Sequence, residues 1–305
     1  MSNDVKLWCQ SCDLCARRKP GPGFGKSPLQ SSLLQSTKPL DRISIDILGR
    51  LSKTNNGKEY IIIVGDYFSK WKEAYAVSNH TALTVADKLA TEFIAHYGVP
   101  NQIHTDQGRE FESELFSELC RLLGIEKTRT TPYRPQSDGL VERFNRTIIA
   151  MLSDFVNENK DDWDDHLPYL MMAYRATPHI STKCSPNLLI LGQEISCPLD
   201  IMVGIPPENP RKLCPSMYVK WLEIAMNNAF EFAHDNLCIA AQRQKQYYDK
   251  GLKPREYEPG DWVWRWYLPA ISNKLGQGWT GPYLVIKRIS DVTYEIQLNS
   301  EKQTP

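Results

Sequence analysis

The stretch EYIIIVGDY, residues 59–67, constrains the fold most. Ile61, Ile62, Ile63 and Val64 leave neither side of a strand polar, so the run predicts a central strand buried on both faces. A strand of that kind needs helices on each side of its sheet. The neighbouring sequence supplies them. DRISIDILG alternates Ile43, Ile45 and Ile47 with polar residues, as a half-buried strand does, and Asn55-Asn56-Gly57 marks the turn that follows. Lys72–Val77 reads as a third strand. Residues 81–97 carry Leu83, Ala86, Leu89, Ala90, Phe93 and Ile94 at helical spacing, and Gly98-Val99-Pro100 stops the run. A short strand is predicted over 101–105, a helix over 112–123, a strand over 125–129, and helices over 139–158 and 162–176. This order predicts an α/β domain with a mixed sheet.

Outside that block the chain changes character. Residues 19–40 are rich in Gly, Pro and Ser and read as an extended linker. Pro198, Pro206, Pro207 and Pro210 mark 195–213 as another. Residues 216–250 predict a long helix. Its Leu222, Ala225, Ala229, Phe232, Asn236 and Ile239 are spaced by threes and fours, a seam read as packing against its own chain rather than as a coiled coil. Residues 261–298 alternate as short strands of a small all-β module, with Trp279 and Tyr283 read as core. No apolar run approaches the ~20 residues of a membrane span, and the N-terminus lacks a signal-peptide stretch, so an intracellular protein is expected. The net charge of zero hides an asymmetry: residues 242–290 hold nine Lys/Arg against four Asp/Glu. A local basic surface is therefore compatible with neutrality.

Three carboxylates carry the chemistry. Asp46 sits mid-strand between Ile45 and Ile47, where an Asp belongs either to a surface face or to a site. Asp106 stands at a strand end, where sites of α/β domains gather. Glu142 lies early in a helix, about 160° from Phe144 of its apolar stripe, so it points away from the core, as Arg146 does one turn later. Oxygen ligands from two strands and one helix suit Mg²⁺ and, with two ions, in-line attack at phosphorus. Asp66 is read as a strand-end hydrogen-bond acceptor.

The motifs around these residues are DRISIDILG, VGDYFSKW at 64–71, HTDQGREF at 104–111 and PYRPQSDGLVERFNRT at 132–147, with thirty-five residues between Asp106 and Glu142. They resemble the integrases of gypsy-type LTR retrotransposons and, more distantly, of retroviruses. The resemblance implies an RNase H-like mixed five-stranded sheet flanked by helices, then a helical linker and a small C-terminal β-barrel. It also implies metal-dependent 3′-end processing and strand transfer, with Asp46, Asp106 and Glu142 holding Mg²⁺ or Mn²⁺. Departures from the family pattern are Arg134 for a usual His, Ser137 for Thr, Leu140 for Gln and Arg50 for Pro; none is a metal ligand. The segment GWTGPYLVIKRISDVTYEIQ at 278–297 resembles the Gly-Pro-Tyr module of the same integrases.

The organisation implied is a zinc-domain tail (1–18), a linker (19–40), the catalytic core (41–194), a proline-rich linker and long helix (195–255) and the barrel (256–305). Cys12 and Cys15 form half of a zinc site, and no His precedes His80. The resemblance suggests a zinc domain whose histidines lay upstream, so Zn²⁺ is expected only where that domain is complete. Cys9 stands beside this pair, and Cys120, Cys184, Cys197, Cys214 and Cys238 lack ligand spacing. Arg134, Gln136, Ser137, Asn145, Arg146, Lys274, Lys287 and Arg288 are the candidate DNA contacts. The expected partners are double-stranded DNA, both element end and target, and further copies of the chain. No membrane or small-molecule substrate is expected. Location is expected to be nuclear, with a cytoplasmic particle stage. Two rival functions are a catalytically silent, domesticated integrase fold that binds DNA or protein, and a general nuclease of the same fold.

Overall fold

The computed structural model describes residues 4–5, 38–130, 139–204, 215–251, 256–266 and 279–297, with only the backbone of 139–142, 199 and 215. Residues 31–242 and the remainder form two compact units.

In the larger unit, strands β1 (Arg42–Gly49), β2 (Tyr60–Asp66) and β3 (Lys72–Val77) form an antiparallel meander. Strands β4 (Gln102–Thr105) and β5 (Glu126–Arg129) add in parallel, giving the order β3-β2-β1-β4-β5. The expected mixed five-stranded sheet is therefore present. The β-branched run divides by parity, because successive strand side chains face opposite ways. Ile62 and Val64 join Ile43, Ile45, Phe93 and Phe116 on one face. Ile61 and Ile63 join Phe144, Ile148, Trp163 and Leu167 on the other. Each such side chain stabilises the fold by about 1.5–3 kcal/mol.

The first face is covered by α1 (Ala82–Lys88) and α2 (Glu114–Leu122). α1 continues through a π-helical stretch, Leu89–Ile94, and a last turn, Ala95–Tyr97, where the sequence predicts one regular helix. The second face is covered by α3 (Gly139–Ser153) and α4 (Trp163–Ala176). α3 ends five residues short of the expected 158, so Phe155, which the predicted helix would include, lies beyond it and is exposed, while Leu152 is buried. The β1–β2 turn is clasped to the start of α4: Thr54 Oγ1 and Asn56 Nδ2 each donate to Asp164 Oδ2 at 3.1 Å, and Trp163 Nε1 donates to Ser52 O at 2.8 Å.

Two helices follow, α5 (Pro186–Leu191) and α6 (Pro198–Val203). The second falls where a linker is predicted. Pro198 occupies its first turn, where a missing N–H leaves no intrahelical bond unmade. The long helix α7 (Pro215–Asp249) packs on its own chain, as expected, with Leu222 against Gly192 and Ala229 of the predicted seam beside the buried cluster. Ala233 and Leu237 bury against Phe68, Cys184 and Leu189, with Phe230 beside them, while Phe232 and Ile239 are exposed. Among the described residues no helix is long and apolar enough to cross a membrane.

In the smaller unit, β6 (Trp262–Trp266), β7 (Trp279–Ser290) and β8 (Thr293–Ile296) form an antiparallel sheet in the order β6-β7-β8. These strands are the described part of the expected barrel. Trp279 and Tyr283 are half-buried, and Trp266 and Trp279 meet edge-on at 5.4 Å.

Candidate active site

Parity on β1 decides where Asp46 points. Ile43 and Ile45 face α1 and α2, so Ser44 and Asp46 face α3. β1 and β4 run parallel with Ile45 opposite Thr105, so the next residue on each chain is Asp46 and Asp106. Neighbouring strands lie about 4.8 Å apart, which brings the two carboxylates to the same end of the same strand pair. Asp106 is exposed there, and its Oδ1 accepts from Gly108 N at 2.9 Å.

From α3, Asn145 Nδ2 donates to Asp46 Oδ2 at 2.6 Å. Asn145 lies one helical turn after Glu142. The helix that carries the third predicted carboxylate is thus fastened to the strand that carries the first. The side chain of Glu142 lies outside the described residues, and no group of three His, Cys, Asp or Glu gathers among the described ones. Asn145 was expected as a DNA contact; the structure turns its amide onto Asp46 and leaves its Oδ1 buried without a hydrogen-bond partner.

Asp66 behaves as expected of a strand-end acceptor. Buried, it accepts from Leu40 N at 3.0 Å, from Ser69 N at 2.7 Å and from Ser69 Oγ at 2.5 Å. Burial nevertheless raises its carboxyl above the usual range.

Two buried lysines and a half-buried histidine were not singled out by the sequence reading. Lys70 is buried, and its ammonium donates to Tyr67 O. Burial lowers it to about 7 and lowers Lys72 to about 8. His179 is brought down to about 4 by burial, then by the charges of Lys70, Lys72 and Arg143. A buried lysine in the short run KWKEA carries no local sequence signal, because the space it fills is made by a residue on another strand.

Of the other predicted DNA contacts, Arg146 and Lys287 are exposed. Arg288 is committed to ion pairs with Asp291 at 3.0 Å and Glu256 at 3.4 Å. Arg134, Gln136, Ser137 and Lys274 lie outside the described residues, as do Cys12 and Cys15. A groove of about 560 Å³, also unanticipated, is lined by Arg50, Tyr60, His80 and Arg109 among others.

Comparison with known proteins matches residues 36–135 to the integrase core domain and residues 281–305 to the C-terminal domain of integrase p58. The chain is 28% identical over 245 residues to a retrovirus-related Pol polyprotein from transposon 412 of Drosophila melanogaster, covering 80% of this chain and 20% of that one. It is 30% identical over 237 residues to the Gag-Pol polyprotein of feline leukemia virus, covering 75% of this chain and 13% of that one. The chain spans between 13% and 38% of the length of these and similar curated relatives. Among solved structures, a chain of the simian T-cell lymphotropic virus intasome shares the fold. The TM-score is 0.56 at 18% identity, over 97% of this chain and 88% of that one.

Proposed function

Starting from a chain that carries an integrase core of the retroviral and transposon type, we propose that this protein is a DNA integrase that trims the 3′ ends of element DNA and joins them to target DNA. The observation that supports this best is the convergence on Asp46. Its parallel neighbour supplies Asp106, and the helix of Glu142 reaches it through Asn145.

The donors fit a hard divalent cation: both described ones are carboxylate oxygens, without a thiol or imidazole among them. Asp46, Asp106 and Glu142 would hold Mg²⁺ or Mn²⁺. When bound, a pair of such ions activates an attacking oxygen and stabilises a leaving one. The chain's own residues bind and orient. Asn145 fixes the plane of the Asp46 carboxylate. Arg146, with Arg134, Gln136 and Ser137 of the preceding loop, holds the phosphates of the DNA end without reading its sequence. Lys274 and Lys287 add phosphate contacts from the C-terminal module.

In trimming, a water oxygen bonds to phosphorus, the P–O3′ bond breaks, and the 3′-oxygen takes up a proton. In joining, that 3′-hydroxyl loses its proton and attacks a target phosphodiester, displacing the target's own 3′-oxygen. Two element ends must be held at once, which calls for several copies of the chain. A chromosomal target puts the work in the nucleus.

The test is strand transfer with a pre-trimmed DNA end and labelled target, in Mg²⁺ or Mn²⁺, for the wild type and Glu142→Gln. Metal-dependent joined product that vanishes in the variant supports the assignment. Folded wild type that binds DNA yet joins none, alone or with a complete zinc domain restored, would refute it in favour of the silent binding scaffold.

A further inference from the structure

Lys72 begins β3, an edge strand of the large sheet. A lysine at an edge ordinarily runs its stem along apolar surface and keeps its amine in water. Lys72 is only 6% exposed. Its side chain runs inward across Gly65, its partner on β2. A Cβ at Gly65 would lie 2.0 Å from Lys72 Nζ, 2.6 Å from Cδ and 2.7 Å from Cε. The amine therefore occupies the layer between sheet and α3, with the Phe144 ring centroid 5.2 Å from Nζ. Gly65 pairs in turn with Ser44 on β1, and Asp46 is the next residue on that face of β1.

Among the described residues no hydrogen-bond acceptor meets this ammonium. A buried ammonium without acceptors is costly unless a negative charge offsets the lost hydration. The carboxylates whose charge acts on Lys72 are Asp66 and Asp46. Asp66 already accepts three hydrogen bonds from Leu40 and Ser69. Asp46 belongs to the proposed metal site, and its charge acts on the amine together with that of Asp66.

We infer that Lys72 is a built-in counter-ion of the carboxylate site: its positive charge compensates Asp46 while no divalent ion is bound and weakens the hold on the ion once it arrives. Lys72 is thus a positioning residue, acting on the site through Asp46. The inference rests on the metal-site reading of Asp46, Asp106 and Glu142. It has a definite sign. A residue with a merely structural role weakens metal binding when lost, whereas loss of a positive charge that acts on a ligand carboxylate tightens binding of a divalent ion, by about tenfold or more.

The experiment is direct Mn²⁺ binding by electron paramagnetic resonance on the full chain, for wild type, Lys72→Met and Lys72→Arg. Lys72→Met is expected to lower the Mn²⁺ dissociation constant about tenfold or more and to lower the half-saturating metal concentration for strand transfer. Lys72→Arg is expected to bind like the wild type. If Lys72→Met does not fold, Lys72→Gln carries the same prediction. Wild type that binds Mn²⁺ with a neutral, folded variant binding equally or more weakly overturns the counter-ion inference alone. Folded wild type that binds no Mn²⁺ overturns the metal-site reading and the inference with it.

Discussion

Adding one methyl group at Gly65 should set two residues seven apart in sequence against each other. The new Cβ would lie 2.0 Å from Nζ of Lys72, with Cδ and Cε within 2.7 Å, and all three atoms would have to move. They are buried beneath Phe144, so the shift is resisted by packing. Overpacking of this kind costs about 1–3 kcal/mol. With Lys72→Ala in place the obstructing atoms are gone, and Gly65→Ala instead gains about 0.5–1 kcal/mol from the lost freedom of glycine in a strand. The difference is a coupling of about 1.5–4 kcal/mol. Urea unfolding of wild type, both single variants and the double variant, compared at a common slope, measures it. A coupling under about 0.5 kcal/mol would show that the lysine does not lie across Gly65, and the burial argument would fail with it.

Three further outcomes are expected. Asp66→Ala leaves two backbone N–H groups and the Ser69 hydroxyl without their acceptor. At about 1–3 kcal/mol each it should lower unfolding free energy by at least about 3 kcal/mol; a loss below 1 would mean that water replaces the carboxylate. Asn145→Leu removes the charge-assisted bond to Asp46, and strand transfer should fall about tenfold or more with an unchanged circular dichroism spectrum; wild-type rates would show that the amide does not orient Asp46. The buried amines Lys70 and Lys72, at about 7 and about 8 in the fold, lie below their ordinary 10.5. The unfolded chain binds more protons in between, so stability should rise from pH 7 to about 9.5. It should fall again above about pH 10, where unfolded tyrosines ionise and the half-buried Tyr75, Tyr97 and Tyr174 stay protonated. Lys72→Met should flatten the rise in a denaturation series across pH.

The sheet was legible because its signal is local. Ile43, Ile45 and the run Ile61–Val64 announce strands and their faces through periodicity alone. Asp46 and Asp106 were legible for a related reason: an acid in or at the end of a buried strand contradicts its surroundings. Features set by non-local pairs were not. The burial of Lys72 depends on Gly65 of another strand, and Asn145 finds Asp46 ninety-nine residues away. On α7 the expected seam followed three-and-four spacing; its Ala229 packs on the cluster beside Phe68 and Leu189, but Ala233 and Leu237 are the residues buried there while Phe232 and Ile239 stay exposed. The prolines of 195–213 signalled a linker, yet Pro198 starts a helix, since proline breaks only a helix that is already under way.

The division of β2 between two helical layers also fixes a timetable for synthesis. Ile62 and Val64 are covered by residues made before position 126, whereas Ile61 and Ile63 wait for Phe144 through Met171. At about 5–20 residues per second, an isoleucine-lined sheet face stays bare on the ribosome for about 5–20 s after it is made. During that interval it is the part of the nascent chain most exposed to wrong partners. The clasp from Thr54 and Asn56 to Asp164 can form only once that interval is nearly over.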